Sequence, residues 1–152
     1  MFGTSFSMKM NNTRAMDFGD GHEPVDEFQN FEKIITDRRS VYSVSIGRVQ
    51  NKEKIKKFLV QTKKIKNHHK ATHHSWAVRI SNDGVVYESK NDDGETGAGQ
   101  IILRLLQKKH MINTIICVTR WYVGIQLESD RFKHIKDSAL YALNHITNNN
   151  KK

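Results

Sequence analysis

The chain has 152 residues, 25 basic and 16 acidic, a net charge of +9 and 37% apolar content. That length suits one domain with a true core, and the apolar fraction is too high for a disordered chain. No apolar run approaches the roughly 20 residues of a membrane-spanning helix, and the N-terminal MFGTSFSMKMNNTRAMDFGDG lacks the apolar stretch of a secretory signal. Cys117 is the single cysteine, so no internal disulfide can form and a reducing, intracellular setting is expected.

Taken in order, residues 1–33 show no clean period and read as a mostly disordered tail. Within them and just beyond, Phe28, Phe31 and Ile35 stand at helical spacing, enough for a short docked turn. The domain is expected over residues 34–147, and residues 148–152 (NNNKK) read as a polar tail. Residues 41–49 place Tyr42, Val44 and Ile46 on one face of a strand. Asn51 can cap a helix carrying Ile55, Phe58, Leu59 and Ile65. Residues 73–80 alternate again, with Trp76, Val78 and Ile80 together. The turn Ser81-Asn82-Asp83-Gly84 returns the chain as a hairpin. Residues 98–109 form a second helix with Ile101, Ile102, Leu105 and Leu106. Residues 112–121 are a β-branched run suited to a central strand covered on both faces. Ser129 or Asp130 starts a last helix with the stripe Phe132, Ile135, Ala139, Leu143 and Ile146. The order β-α-β-β-α-β-α predicts an α+β sandwich, helices on a four-stranded, mostly antiparallel sheet. Pattern alone favours a ferredoxin-like arrangement.

Positive charge is concentrated between Asn51 and Lys70, where Lys52, Lys54, Lys56, Lys57, Lys63, Lys64, Lys66 and Lys70 face the single acid Glu53. Such a run is either a solvated helix face or a docking surface for a phosphate backbone, an acidic protein or anionic lipid. Lys52, Lys56, Lys57, Lys63 and Lys64 are the candidates for electrostatic docking.

Four further stretches hold candidate chemistry. Asp92-Asp93-Gly94-Glu95-Thr96-Gly97-Ala98-Gly99 lies between a strand and a helix. Its carboxylates suit a hard cation or acid–base work, or they cap the helix; capping is the preferred reading. His68, His69, His73 and His74 match no zinc spacing, and His68 and His69 read as loop residues. His73 and His74 open a strand and point to opposite faces, so only one can join a given site. Arg120-Trp121-Tyr122 ends the central strand, where arginine beside aromatics can stack on a base, grip an acid, or pair internally with Asp92, Asp93 or Glu95. Arg131 and Lys133 stand near the start of the last helix and can contact an anion. Cys117, inside the buried run, reads as an inert core thiol.

Together these stretches resemble the Impact family of translation regulators, which is related to a bacterial family of uncharacterised proteins. The resembling segments are Thr36-Asp37-Arg38-Arg39-Ser40, Ala71-Thr72-His73 with Trp76-Ala77-Val78-Arg79, Asp92 to Gly99, Arg120-Trp121-Tyr122 with Gly124-Ile125, and Asp130 to Ile135. They run from about Ile34 to Leu143. Departures are Val123 for a glycine, Glu128-Ser129 for Gly-Pro, and Gly97 for an alanine. The resemblance implies the ribosomal protein S5 domain 2-like fold, with a left-handed βαβ crossover, in place of the ferredoxin-like one. It also implies a cytoplasmic, non-enzymatic regulator of translation under amino-acid starvation, without a cofactor. Its expected partner is the ribosome-associated activator of a starvation kinase, or the ribosome itself, with RNA a further option and no membrane. Eukaryotic members carry an N-terminal RWD domain; the residues before the match are too few for it, so a chain without that domain is expected, as is one without the small C-terminal domain of the bacterial relatives.

The candidate binding residues are therefore His73, Asp92, Asp93, Glu95, Arg120, Tyr122, Arg131 and Lys133. The competing expectation is a small metal-dependent hydrolase using Asp92, Asp93 and Glu95 with His73 as base.

Overall fold

The computed structural model describes residues 24–150, with side chains described through Ile146. The strands are β1 (Asp26–Asp37), β2 (Ser40–Arg48), β3 (His73–Asn82), β4 (Val85–Asn91) and β5 (Thr114–Trp121). The helices are α1 (Lys52–Lys63), α2 (Ala98–Lys108) and α3 (Asp130–Asn150), with a short 3-10 turn at His68–Lys70. They form one sheet in the order β1-β2-β5-β3-β4, and every neighbouring pair is antiparallel.

The α+β class holds, with five strands rather than four. The additional strand is β1, which begins at Asp26 inside the stretch read as a tail and occupies the place of the expected helical turn. Its pairing with β2 shifts register twice, between Asp26 and Gln29 and between Phe31 and Ile35, and Glu27 and Lys33 take positive φ. Residues 1–23 of the expected tail lie outside the described residues, as do Lys151 and Lys152 at the other end; α3 itself continues to Asn150.

β5 inserts between β2 and β3, and its alternation splits the core. Ile116 and Val118 join Tyr42, Val44, Ile46 and the apolar sides of α2 and α3. Ile115 and Cys117 join Val78, Ile80 and, from α1, Ile55 and Phe58. Helices therefore cover both faces, and the ferredoxin-like expectation drawn from element order fails. A run of side chains buried on both sides is what such a central strand requires.

Close approach fixes the α1 side. A Cβ on Gly47 would stand 3.0 Å from Phe58 and 3.0 Å from Val25, so the ring of Phe58 packs directly on the β2 backbone. Asn51 caps α1, its side chain accepting from the Lys54 N–H at 3.1 Å. The stripe of α3 buries Ile135, Ala139 and Leu143, but Phe132 is 41% exposed. Phe132 sits in the first turn, beyond the edge of the core, with the Arg131 guanidinium 4.2 Å over its ring. Burial pushes the Cys117 thiol up to about 12, in keeping with an inert thiol.

A candidate anion-binding cleft at the end of the central strand

The acidic loop comes first, because it positions everything else. Asp92 lies just before α2 and accepts from two backbone donors, Oδ2 from the Gly97 N–H at 3.0 Å and Oδ1 from the Gly99 N–H at 2.8 Å. A Cβ on Gly99 would fall 2.9 Å from Asp92 Oδ1, so only glycine lets the carboxylate come this close. These bonds hold the Asp92 carboxyl below its ordinary value, Gly97 contributing most, against a smaller opposing effect of burial. Asp93 Oδ2 accepts from the His74 N–H at 2.8 Å, tying the loop to β3. Both carboxylates are thus occupied by backbone donors, Asp92 by those at the start of α2 and Asp93 by one on β3.

Glu95 differs: it is 3% exposed and faces the end of β5. Arg120 Nη1 donates to both its oxygens, at 3.0 and 2.8 Å, and Arg120 Nη2 donates to Ser40 Oγ at 3.2 Å. The internal partner of Arg120 is therefore Glu95, not Asp92 or Asp93. The Arg120 guanidinium lies between two rings, 5.5 Å from Tyr42 and 5.0 Å from Tyr122. Its Nε, though buried, has no hydrogen-bond partner among the described residues. Arg131 reaches the same carboxylate from α3, Nη1 donating to Glu95 Oε2 at 3.2 Å and to the Thr96 carbonyl at 2.7 Å. His73 Nε2 is 4.0 Å from Glu95 Oε1, and its Nδ1 lies 2.8 Å from the Asp93 carbonyl.

Around these groups opens a cleft of about 260 Å3, lined by His73, Glu95, Thr96, Arg120, Tyr122 and Arg131 together with Gly94 and Gln126. Of the eight candidate binding residues, five therefore meet in one place. Asp92 and Asp93 do not line it, and bond the backbone of the loop, α2 and β3 instead. Lys133 does not line it, and pairs with Asp137 one turn along α3 at 3.1 Å. Gln126 and Thr96 were not expected, since nothing in their local sequence marks a loop amide or a loop hydroxyl as part of a site. With Glu95 held by two guanidiniums and Asp92 and Asp93 held by N–H groups, this arrangement offers cationic donors rather than a cluster of open carboxylates.

Beside the cleft, Asp37 accepts from Arg38 and lies 2.7 Å from His134 Nε2; Arg38 also bonds Asp130. Chiefly through Arg38, and then His134, the Asp37 carboxyl is lowered to about 2.

The lysines lie across the sheet. On α1, Lys52 and Lys56 are exposed, as is Lys63, and Lys57 is half-buried; Lys64 follows the helix, also exposed. Lys52 Nζ stands 4.3 Å over the Tyr87 ring. Behind this helix His68, read from sequence as a loop residue, is fully buried. Its Nε2 lies 2.6 Å from Glu32 Oε2, and Trp121 meets its ring edge-on at 5.0 Å. A histidine can be buried here because β1 supplies the carboxylate, 36 residues earlier. Burial opposes the Glu32 charge, but the His68 hydrogen bond and the charge interaction outweigh it and its pKa is lowered. His74 Nδ1 lies 3.1 Å from Thr119 Oγ1, and burial lowers its pKa.

Comparison with known proteins gives this geometry its family. The Impact N-terminal domain model matches residues 38–143. Protein IMPACT-B of Xenopus tropicalis is 40% identical over 107 residues, 69% of this chain and 34% of that protein. The IMPACT homolog of Schizosaccharomyces pombe is 38% identical over 110 residues, 72% of this chain and 39% of that protein. The chain thus spans little more than a third of the length of these curated relatives. Among solved structures, a hypothetical protein aligns with a TM-score of 0.67 at 22% identity, over 79% of this chain and 59% of that one, a likeness of fold. The two-domain translational regulator Yih1 aligns with a TM-score of 0.54 at 30% identity, over 91% of this chain and 54% of that one. The family model's match from Arg38 to Leu143, with 40% identity to a relative over 69% of the chain, places the chain in the Impact family.

Proposed function

We propose that this chain is a non-enzymatic binding module of translation control, acting in the cytoplasm. It docks on the ribosome or its RNA through α1 and on a regulatory protein, the ribosome-associated activator of the starvation kinase, through its cleft side. The observation that carries the reading is the separation of two cationic surfaces by one sheet. α1 turns Ile55 and Phe58 inward and its lysines outward, which sets a strong field on one face. The relatives that include a translational regulator support the direction of this reading. A hydrolase is less well supported, because Asp92 and Asp93 are taken up by backbone N–H groups and Glu95 by Arg120 and Arg131.

Sedimentation of the purified chain with ribosomes, and separately with naked RNA, tests this at low and near-physiological salt. Retention on ribosomes at the higher salt, with RNA binding lost, is the expected result. Release from both would overturn it. Lys56→Glu with Lys57→Glu should weaken ribosome binding and flatten its salt dependence, by a slope of about 1.4 if both lysines meet single-stranded phosphates.

A further inference from the structure

The cleft holds a charge its own residues do not balance. Among the lining residues, Arg120 and Arg131 bring two positive charges and Glu95 one negative, an excess of one. One donor is left over as well: Arg120 is 4% exposed, and its Nε has no partner among the described residues. A buried donor without an acceptor is costly, and because Arg120 lines the cleft, an acceptor entering there can relieve that cost. Arg120 is also prevented from turning away to find another, since Glu95, Ser40 and the rings of Tyr42 and Tyr122 hold it.

Exposed apolar residues adjoin the lining residues Tyr122, Gln126 and Arg131 along the chain. Val123 and Ile125 in the loop after β5 are 49% and 39% exposed, and Phe132 at the start of α3 adds a ring. Two guanidiniums beside exposed aliphatic and aromatic surface suit a polypeptide better than a phosphodiester chain. One unbalanced positive charge matches a single carboxylate.

We infer that the cleft receives an acidic side chain of a partner protein, a glutamate or aspartate flanked by apolar residues: its carboxylate accepts from the Arg120 Nε–H and pairs with Arg131, while its neighbours rest on Val123, Ile125 and Phe132. This rests on the reading of the chain as a binding module and names the chemistry its protein partner must present.

The test is an NMR titration of the full chain that follows the Arg120 Nε–H resonance. The probes are the capped peptide Ac-Leu-Glu-Leu-NH2, its glutamine counterpart and a short oligoadenylate. The glutamate peptide should shift that resonance in a saturable way, and the glutamine peptide should not. Arg131→Gln, which leaves the Glu95–Arg120 pair in place, should weaken the glutamate peptide by about tenfold, the worth of one charged hydrogen bond. Equal shifts with both peptides, no shift with either, or a shift with oligoadenylate alone would each overturn the assignment. No ribosome enters the titration, so failure of ribosome sedimentation and failure of the cleft are read separately.

Discussion

On one face of the sheet Glu95 and Arg120 are nearly sealed from water and bonded to each other; on the other, Lys52, Lys56 and Lys63 of α1 stand in solvent above an apolar underside. Charge is placed by opposite rules in the two regions. In the cleft, Glu95 from the loop before α2, Arg120 from β5 and Arg131 from α3 converge, and one carboxylate is shared by two guanidiniums. On α1 the charges follow one another along twelve residues, and water does the compensating. Removing a charge should therefore disturb the fold on the first face and only the binding on the second. Buried ions depend on their partners, whereas exposed pairs contribute little.

The largest effect that could break this contrast is at Glu95. Glu95→Gln leaves two guanidiniums over a neutral group and should cost about 3 kcal/mol in denaturant unfolding. A loss below about 0.5 kcal/mol would mean that water already reaches Arg120. Gly47→Ala probes the other face through packing instead of charge. The added methyl meets Phe58 and Val25 at 3.0 Å and should cost roughly 1–3 kcal/mol, read as a fall in melting temperature. Asp92→Ala removes the acceptor for two N–H groups at the start of α2 and should cost about 1 kcal/mol. Its pH dependence has a definite sign. The folded Asp92 pKa lies below 3.8, so its contribution is present above that value and is lost as pH falls through the lowered folded pKa. The gap between wild type and variant should therefore close in acid. The smallest effect sharpens the contrast: Lys56→Glu with Lys57→Glu should move stability by no more than about 0.5 kcal/mol while weakening ribosome binding.

How much of this was legible in the sequence depended on the range of the interaction. Tyr42, Val44 and Ile46 alternate on one face of β2, and the run ending at Trp121 is buried on both faces, because period and burial are local signals. β1 was not legible, and Phe28 and Phe31 show why. Three residues apart, they would share a side of a helix, but in a strand an odd spacing sends them to opposite faces. Phe28 packs on Phe58 and Phe31 on Tyr141. Two register shifts then break the period of two that would have marked the strand. The acidic loop was legible as a helix cap, since Asp92 reaches donors only five and seven residues away. That Glu95 rather than its neighbours would hold Arg120 is a fact of the assembled sheet, 25 residues apart in sequence. The His68–Glu32 contact, across 36 residues, left no local mark at all.

The strand order has a consequence for how the chain is made. β1–β2 and β3–β4 are complete hairpins by Asn91, yet no ladder joins them until β5 fills the place between. A growing polypeptide therefore carries two separate ribbons, each marginal alone and each with an unfilled inner edge. The sheet closes in one late step, when Thr114–Trp121 emerges and bonds both at once. Synthesis that stops before Trp121 deprives the domain of its middle, not its margin.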